Sequence, residues 1–79
     1  MANWWKCKVV KPSRMIPFSA GEVIFAKNGD EHITLFDGRQ EGRIPKRAFK
    51  YLQLVARMQG RDSAQIQKSY EYKKAAQAS

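Results

Sequence analysis

Acidic residues are scarce in this chain. Seven Asp and Glu stand against fifteen Lys and Arg, which leaves a net charge of +8 on 79 residues. The acids are also scattered singly, so neither a carboxylate pair for acid–base chemistry nor an oxygen-ligand metal cluster is expected. Cysteine and histidine are down to Cys7 and His32. A lone thiol closes no intramolecular disulfide, so the domain must stand on its own core, and a reducing, cytoplasmic setting is expected. Two such residues make no zinc spacing. A Cys–His nucleophile pair would have to be brought together in space. Cys7 reads instead as a small core residue, and His32 as a surface strand residue. No apolar run approaches the roughly 20 residues that span a bilayer. The opening Met1-Ala2-Asn3-Trp4-Trp5-Lys6-Cys7-Lys8 has no apolar leader segment, so no secretory signal is expected. A chain this short buries only about 60 % of its unfolded surface, too little to wall a deep active site. The expectation is therefore no enzyme, no cofactor, no metal and no membrane partner.

What is present reads as short strands. Residues 5–10 alternate, with Trp5, Cys7 and Val9 on one face and Lys6, Lys8 and Val10 on the other. Lys11-Pro12-Ser13-Arg14 breaks this strand, because proline cannot donate to a ladder. Met15-Ile16-Pro17-Phe18 is an apolar loop expected to pack on the core. Ser19-Ala20-Gly21-Glu22 is a turn in which Gly21 can take positive φ. Val23–Ala26, His32–Phe36 and Glu41–Ile44 form a meander. Asn28-Gly29 and Asp37-Gly38, two strong hairpin signals, mark its turns. The expected core is Val23, Phe25, Ile33, Leu35, Ile44 and Leu52.

Residues 46–58 fit two patterns. As a helix, they begin at Pro45, carry an apolar stripe of Phe49, Leu52, Val55 and Ala56, and end at Gly60. As a strand, Tyr51–Val55 follows a one-turn connector. Ser63 is a good N-cap for a helix over Ala64–Ala78. The apolar stripe of that helix is thin, so the last residues are expected to fray and the helix to pack weakly on the rest. The organisation expected is a barrel over residues 1–57 and a helical or flexible basic tail over 58–79.

The stretch from Phe18 to Leu52 resembles an SH3-like small barrel. Phe18–Ile24 looks like that family's diverging turn, and Asn28-Gly29-Asp30 like its loop between the second and third strands. Gln40-Glu41-Gly42-Arg43-Ile44-Pro45 looks like its glycine-x-hydrophobic-proline run. The resemblance implies a five-stranded mainly-β barrel, with a 3₁₀ turn over Lys46–Phe49 and a closing strand over Lys50–Leu54. Peptide-binding members hold polyproline in an aromatic groove. Here His32 and Ala48 stand where the groove aromatics would be, and only Pro45 is retained. The basic run Ile44-Pro45-Lys46-Arg47-Ala48-Phe49-Lys50 instead looks like the C-terminal domain of retroviral integrases. The resemblance thus implies the basic, nucleic-acid-binding kind of barrel.

The net charge attracts polyanions. A basic excess attracts nucleic acid, anionic membrane and acidic proteins in general; of these, nucleic acid, DNA or RNA, is the expected partner, and membrane is not. Arg39, Arg43, Lys46, Arg47 and Lys50 fall close together in sequence, and Lys6 and Lys8 project from the first strand. Each phosphate such residues neutralise releases counterions. Adjacent tryptophans on a strand face opposite ways. Trp4 is therefore expected to be exposed beside the lysines, where it can stack on a base. The expected interface is Trp4, Lys6, Lys8, Arg39, Arg43, Lys46, Arg47 and Lys50, reading phosphate with low sequence specificity. The alternative is a protein-interaction module, an inhibitor or adaptor of the sort phages and mobile elements encode. It would dock on a host protein through the exposed Trp, Tyr70, Tyr72 and the tail.

Overall fold

The computed structural model describes residues 3–11 and 13–78. Five strands, β1 (Trp4–Val9), β2 (Val23–Asn28), β3 (His32–Phe36), β4 (Glu41–Pro45) and β5 (Leu52–Met58), form one sheet in the order β4-β3-β2-β1-β5. Every pairing is antiparallel. A 3₁₀ connector (Lys46–Tyr51) joins β4 to β5, and a helix, α1 (Gly60–Ala78), follows. The mainly-β expectation with a C-terminal helix holds. The closed barrel does not, because β4 and β5 are the two sheet edges and no ladder joins them among the described residues.

The split of residues 46–58 between connector and strand follows from what each half can pair with. Pro45 enters the connector extended, at φ −68° and ψ 154°. Ala48 is the connector's buried residue and pins it to the core. From Leu52 onward the free edge of β1 offers a ladder, from Val9↔Leu52 to Trp4↔Met58. The register shifts between Lys6 and Cys7, which leaves Val55 as the extra, exposed residue of a β-bulge. The helical reading, with its Phe49 and Val55 stripe, is thereby overturned.

The two hairpins form where their turn dipeptides stand, by different means. Gly38 takes φ 96°, and the Asp37 Oδ1 accepts from the Arg39 and Gln40 amides at 2.8 Å each. Slight burial pulls the Asp37 carboxyl up, but those backbone hydrogen bonds outweigh it and hold the group below its usual range. Gly29 does not take positive φ. It is needed because a Cβ there would lie 2.7 Å from the His32 carbonyl oxygen, to which the Gly29 amide donates at 2.9 Å. Ile16 and Phe18 are buried, so the apolar loop packs on the core as expected. Pro12, invoked for the break after the first strand, lies outside the described residues.

The sheet carries an apolar layer on each face. The inner layer is Cys7, Val9, Ile16, Phe18, Ile24, Ala26, Ile33, Leu35, Ile44, Ala48 and Leu52, with Trp5 packed against it. On β2 the expected face is inverted: Ile24 and Ala26 point inward, while Val23 is 48 % exposed and Phe25 faces the other layer. Val-Ile-Phe-Ala is apolar at every position, so alternation alone could not choose its inward face. Leu35 is fully buried in the inner layer. Leu35→Ala should destabilise by about 2–5 kcal/mol in urea unfolding. A loss under about 1 kcal/mol would mean that this layer is not the core.

The outer layer is Trp4, Phe36 and Tyr70, with Phe25, Met58 and Ile66 around them. This corrects two expectations. Trp4 is 0 % exposed rather than open to a base, and α1 lies on the sheet, with Tyr70 buried against it. Tyr70 meets Trp4 edge-on at 5.4 Å and Phe36 at 5.6 Å, the spacing at which ring quadrupoles attract. The Trp4 indole Nε1 donates to Gln67 Oε1 at 2.9 Å, which satisfies its buried N–H. Ser63, Ile66, Gln67 and Tyr70 share one helix face by their spacing. Ser63 is buried within the first turn rather than capping it, since α1 starts at Gly60. Burial first, then the Glu41 carboxylate, push the Tyr70 hydroxyl up, so it stays neutral.

Candidate nucleic-acid interface

A 3₁₀ turn repeats every three residues, so positions i and i+3 lie above one another. The connector therefore has three sides. Ala48 and Tyr51 face the core. Lys46 and Phe49 line a groove. Arg47 and Lys50 make the third side, and both are exposed. Lys50 Nζ lies 5.3 Å from the centre of the Tyr51 ring, a cation–π contact that holds the amine on the connector. The segment Lys46-Arg47-Ala48-Phe49-Lys50-Tyr51 holds no acidic residue.

The remaining expected residues divide. Lys8 is exposed on the outer face of β1 in register with Gln53, just beyond the connector, and Lys6 is half-buried opposite Phe25 and Ala56. Arg43 is exposed on β4 opposite Thr34, but it shares a cleft of about 410 Å³ with Asp30, Glu31 and His32. Those carboxylates weaken its pull on an anion. Arg39 sits in the β3–β4 turn, at the far end of the hairpin from the connector, because His32 pairs with Pro45 and Phe36 with Glu41. At about 3.3 Å per residue that end is roughly 13 Å away. The structure thus gathers Lys46, Arg47 and Lys50, puts Lys8 on the outer face of β1 opposite Gln53, and leaves Arg39 apart. Trp4 leaves the set because its ring is buried.

Sequence reasoning missed Trp5 and Arg57. The Arg57 guanidinium lies 5.4 Å from the centre of the Trp5 ring. They are cross-strand partners only because of the bulge that shifts β5 by one residue. Trp5 also lines a groove of about 370 Å³, with Ala26, Asn28, Ile33, Lys46, Phe49 and Leu54.

Cys7 faces the inner layer and His32 lies exposed two strands away, so these two do not meet as nucleophile and base. Burial pushes the Cys7 thiol up to about 11. A thiol held protonated near neutral pH is a poor nucleophile. Cys7 should resist a thiol-specific chromogenic reagent in the native protein and react at once in denaturant. Rapid labelling of native protein would show that β1 opens. No group of three or more His, Cys, Asp or Glu that could hold a metal exists among the described residues. No helix there is long and apolar enough to cross a membrane.

Comparison with known protein families, curated proteins and solved structures finds no match.

Proposed function

We propose that this protein is a non-enzymatic nucleic-acid-binding domain of the SH3-like kind, acting in the cytoplasm and holding DNA or RNA by its phosphates with little sequence preference. The observation that carries this reading is the connector. Its apolar side is locked to the core by Ala48, and its other sides present Lys46, Arg47 and Lys50 with no carboxylate among them. Cations held on a rigid element lose little freedom on binding. The net charge of +8 adds long-range attraction. The strand order and the short 3₁₀ segment before the last strand support the SH3-like resemblance. Low specificity follows from the element used: a short connector contacts phosphate and presents no helix to the major groove.

Fluorescence anisotropy with a random duplex and a single strand, at low and moderate salt, tests the reading. Micromolar binding that weakens steeply with salt is expected. Failure to bind either form at low salt overturns it. The protein-interaction reading would then take its place. In its favour, Tyr72 is 80 % exposed on α1 beside Gly38, Lys68, Ser69 and Lys73. Against it, Trp4 and Tyr70 are buried and unavailable as contacts.

A further inference from the structure

The groove between β1, β2, β5 and the connector has features that phosphate contact alone does not require. Its walls are inner-face residues left uncovered because β4 and β5 do not pair. Leu54 is 49 % and Phe49 39 % exposed, and the Trp5 ring is half-buried beside them. Ile33 and Ala26 complete the apolar floor. Asn28 adds one side-chain amide, which can both donate and accept. One cation lines the groove, Lys46, and a second, the Arg57 guanidinium, lies outside the lining but 5.4 Å from the centre of the Trp5 ring. A guanidinium has five N–H donors, so Arg57 can meet an oxyanion while it stays beside the Trp5 ring. No Asp or Glu lines the groove.

Resting on the nucleic-acid reading above, we infer that this groove is a nucleobase site for single-stranded nucleic acid. One unstacked base enters against Trp5, Phe49 and Leu54. Asn28 meets its polar edge, and the flanking phosphates lie on Lys46 and Arg57. The occupant must combine a flat apolar face, a hydrogen-bonding edge and an obligatory negative charge, and a nucleotide carries all three. An apolar peptide side chain has no use for the cations, and a second copy of so basic a chain would be repelled. Bases in a duplex are already stacked and paired, and extruding one sacrifices both. The groove therefore favours single strands, whereas the connector cations serve both forms.

The test uses the full chain, an oligothymidylate of about 12 nucleotides and a duplex of similar length. Trp5 is the responsive fluorophore, since Trp4 is sealed under α1. Oligothymidylate should quench the emission, and Trp5→Phe should remove most of the change. Phe49→Ala and Leu54→Ala, both at part-exposed positions, should each weaken single-strand binding by about fivefold or more while duplex affinity stays within about twofold. Thermal melts of each variant check folding. If the wild type binds both forms but these variants leave single-strand affinity unchanged, or change both forms equally, the groove is not a base site and the phosphate reading survives. An acidic apolar peptide that displaces the dye-labelled oligonucleotide more tightly than unlabelled oligonucleotide does would likewise overturn the assignment. If the wild type binds neither form, both readings fall together.

Discussion

Truncation after Gln59 should lower the melting temperature by about ten degrees or more. Helix α1 supplies the lid of the outer apolar layer. Without it, Trp4 and Phe36, now 0 % and 1 % exposed, would face water on a sheet surface. Each ring carries about 150–250 Å² of surface. Returning half of that to water re-exposes about 200 Å² in all, which at about 25 cal/mol per Å² is about 5 kcal/mol. The indole N–H of Trp4 regains water in place of Gln67, so that term is close to neutral. Releasing the helix returns some chain entropy and reduces the loss, yet a domain of this size shifts by about 4–8 °C per kcal/mol. Tyr70→Ala probes the same layer in the full chain and should cost about 3–5 kcal/mol, as large aromatic truncations do. If both variants melt within about two degrees of the wild type, the helix is not part of the folded unit.

Charge reversal of the connector should have the largest effect on binding. Arg47→Glu with Lys50→Glu removes the pair that shares its outward side. Counterion release makes the logarithm of duplex affinity fall with slope of about 0.9 per neutralised phosphate. At about 0.1 M salt each such phosphate is therefore worth about eightfold, so releasing two lowers duplex affinity roughly 60-fold, before any repulsion from the new carboxylates. The salt slope should drop by about 0.9 for each phosphate no longer neutralised. The double variant also takes the net charge from +8 to +4, since each reversal removes two charges. Arg61→Glu with Lys68→Glu makes the same change on the exposed surface of α1 and is the control. Equal losses in the two double variants would mean that overall charge, not the connector, carries the binding.

Much of the meander was legible because its signals are local. His32–Phe36 is alternating chain between two turn dipeptides, and its inward residues Ile33 and Leu35 are buried as read. The residue pattern left a short connector and a longer helix both open after β4, and the SH3-like resemblance favoured the connector; the 3₁₀ segment runs two residues past the expected Phe49, to Tyr51. In the candidate interface, the exposed basic run Lys46, Arg47 and Lys50 could be read directly from the chain. Its partners could not. Arg39 is near it in sequence, but a hairpin runs away from its own base, so sequence distance misjudged its place; Arg43 stays near the connector end, and what the chain could not show is that Asp30 and Glu31 share its cleft.

The sequence by itself determined the basic excess, the strand–turn alternation and the absence of a disulfide framework, because these depend on composition and on residues a few positions apart. Only the tertiary structure decided which face of Val23–Ala26 is inside, which tryptophan is sealed and what becomes of the tail. Those outcomes hang on one long-range contact, α1 laid across Trp4 and Phe36. Its helix face is built from Ser63, Ile66, Gln67 and Tyr70, too polar to announce itself as an apolar stripe. It packs because Gln67 meets the Trp4 indole and Tyr70 meets two rings edge-on. Once the helix occupies the outer face, Phe25 and Trp4 bury there. Ile24 and Ala26 are left to the inner layer, and Trp5 to the mouth of the groove.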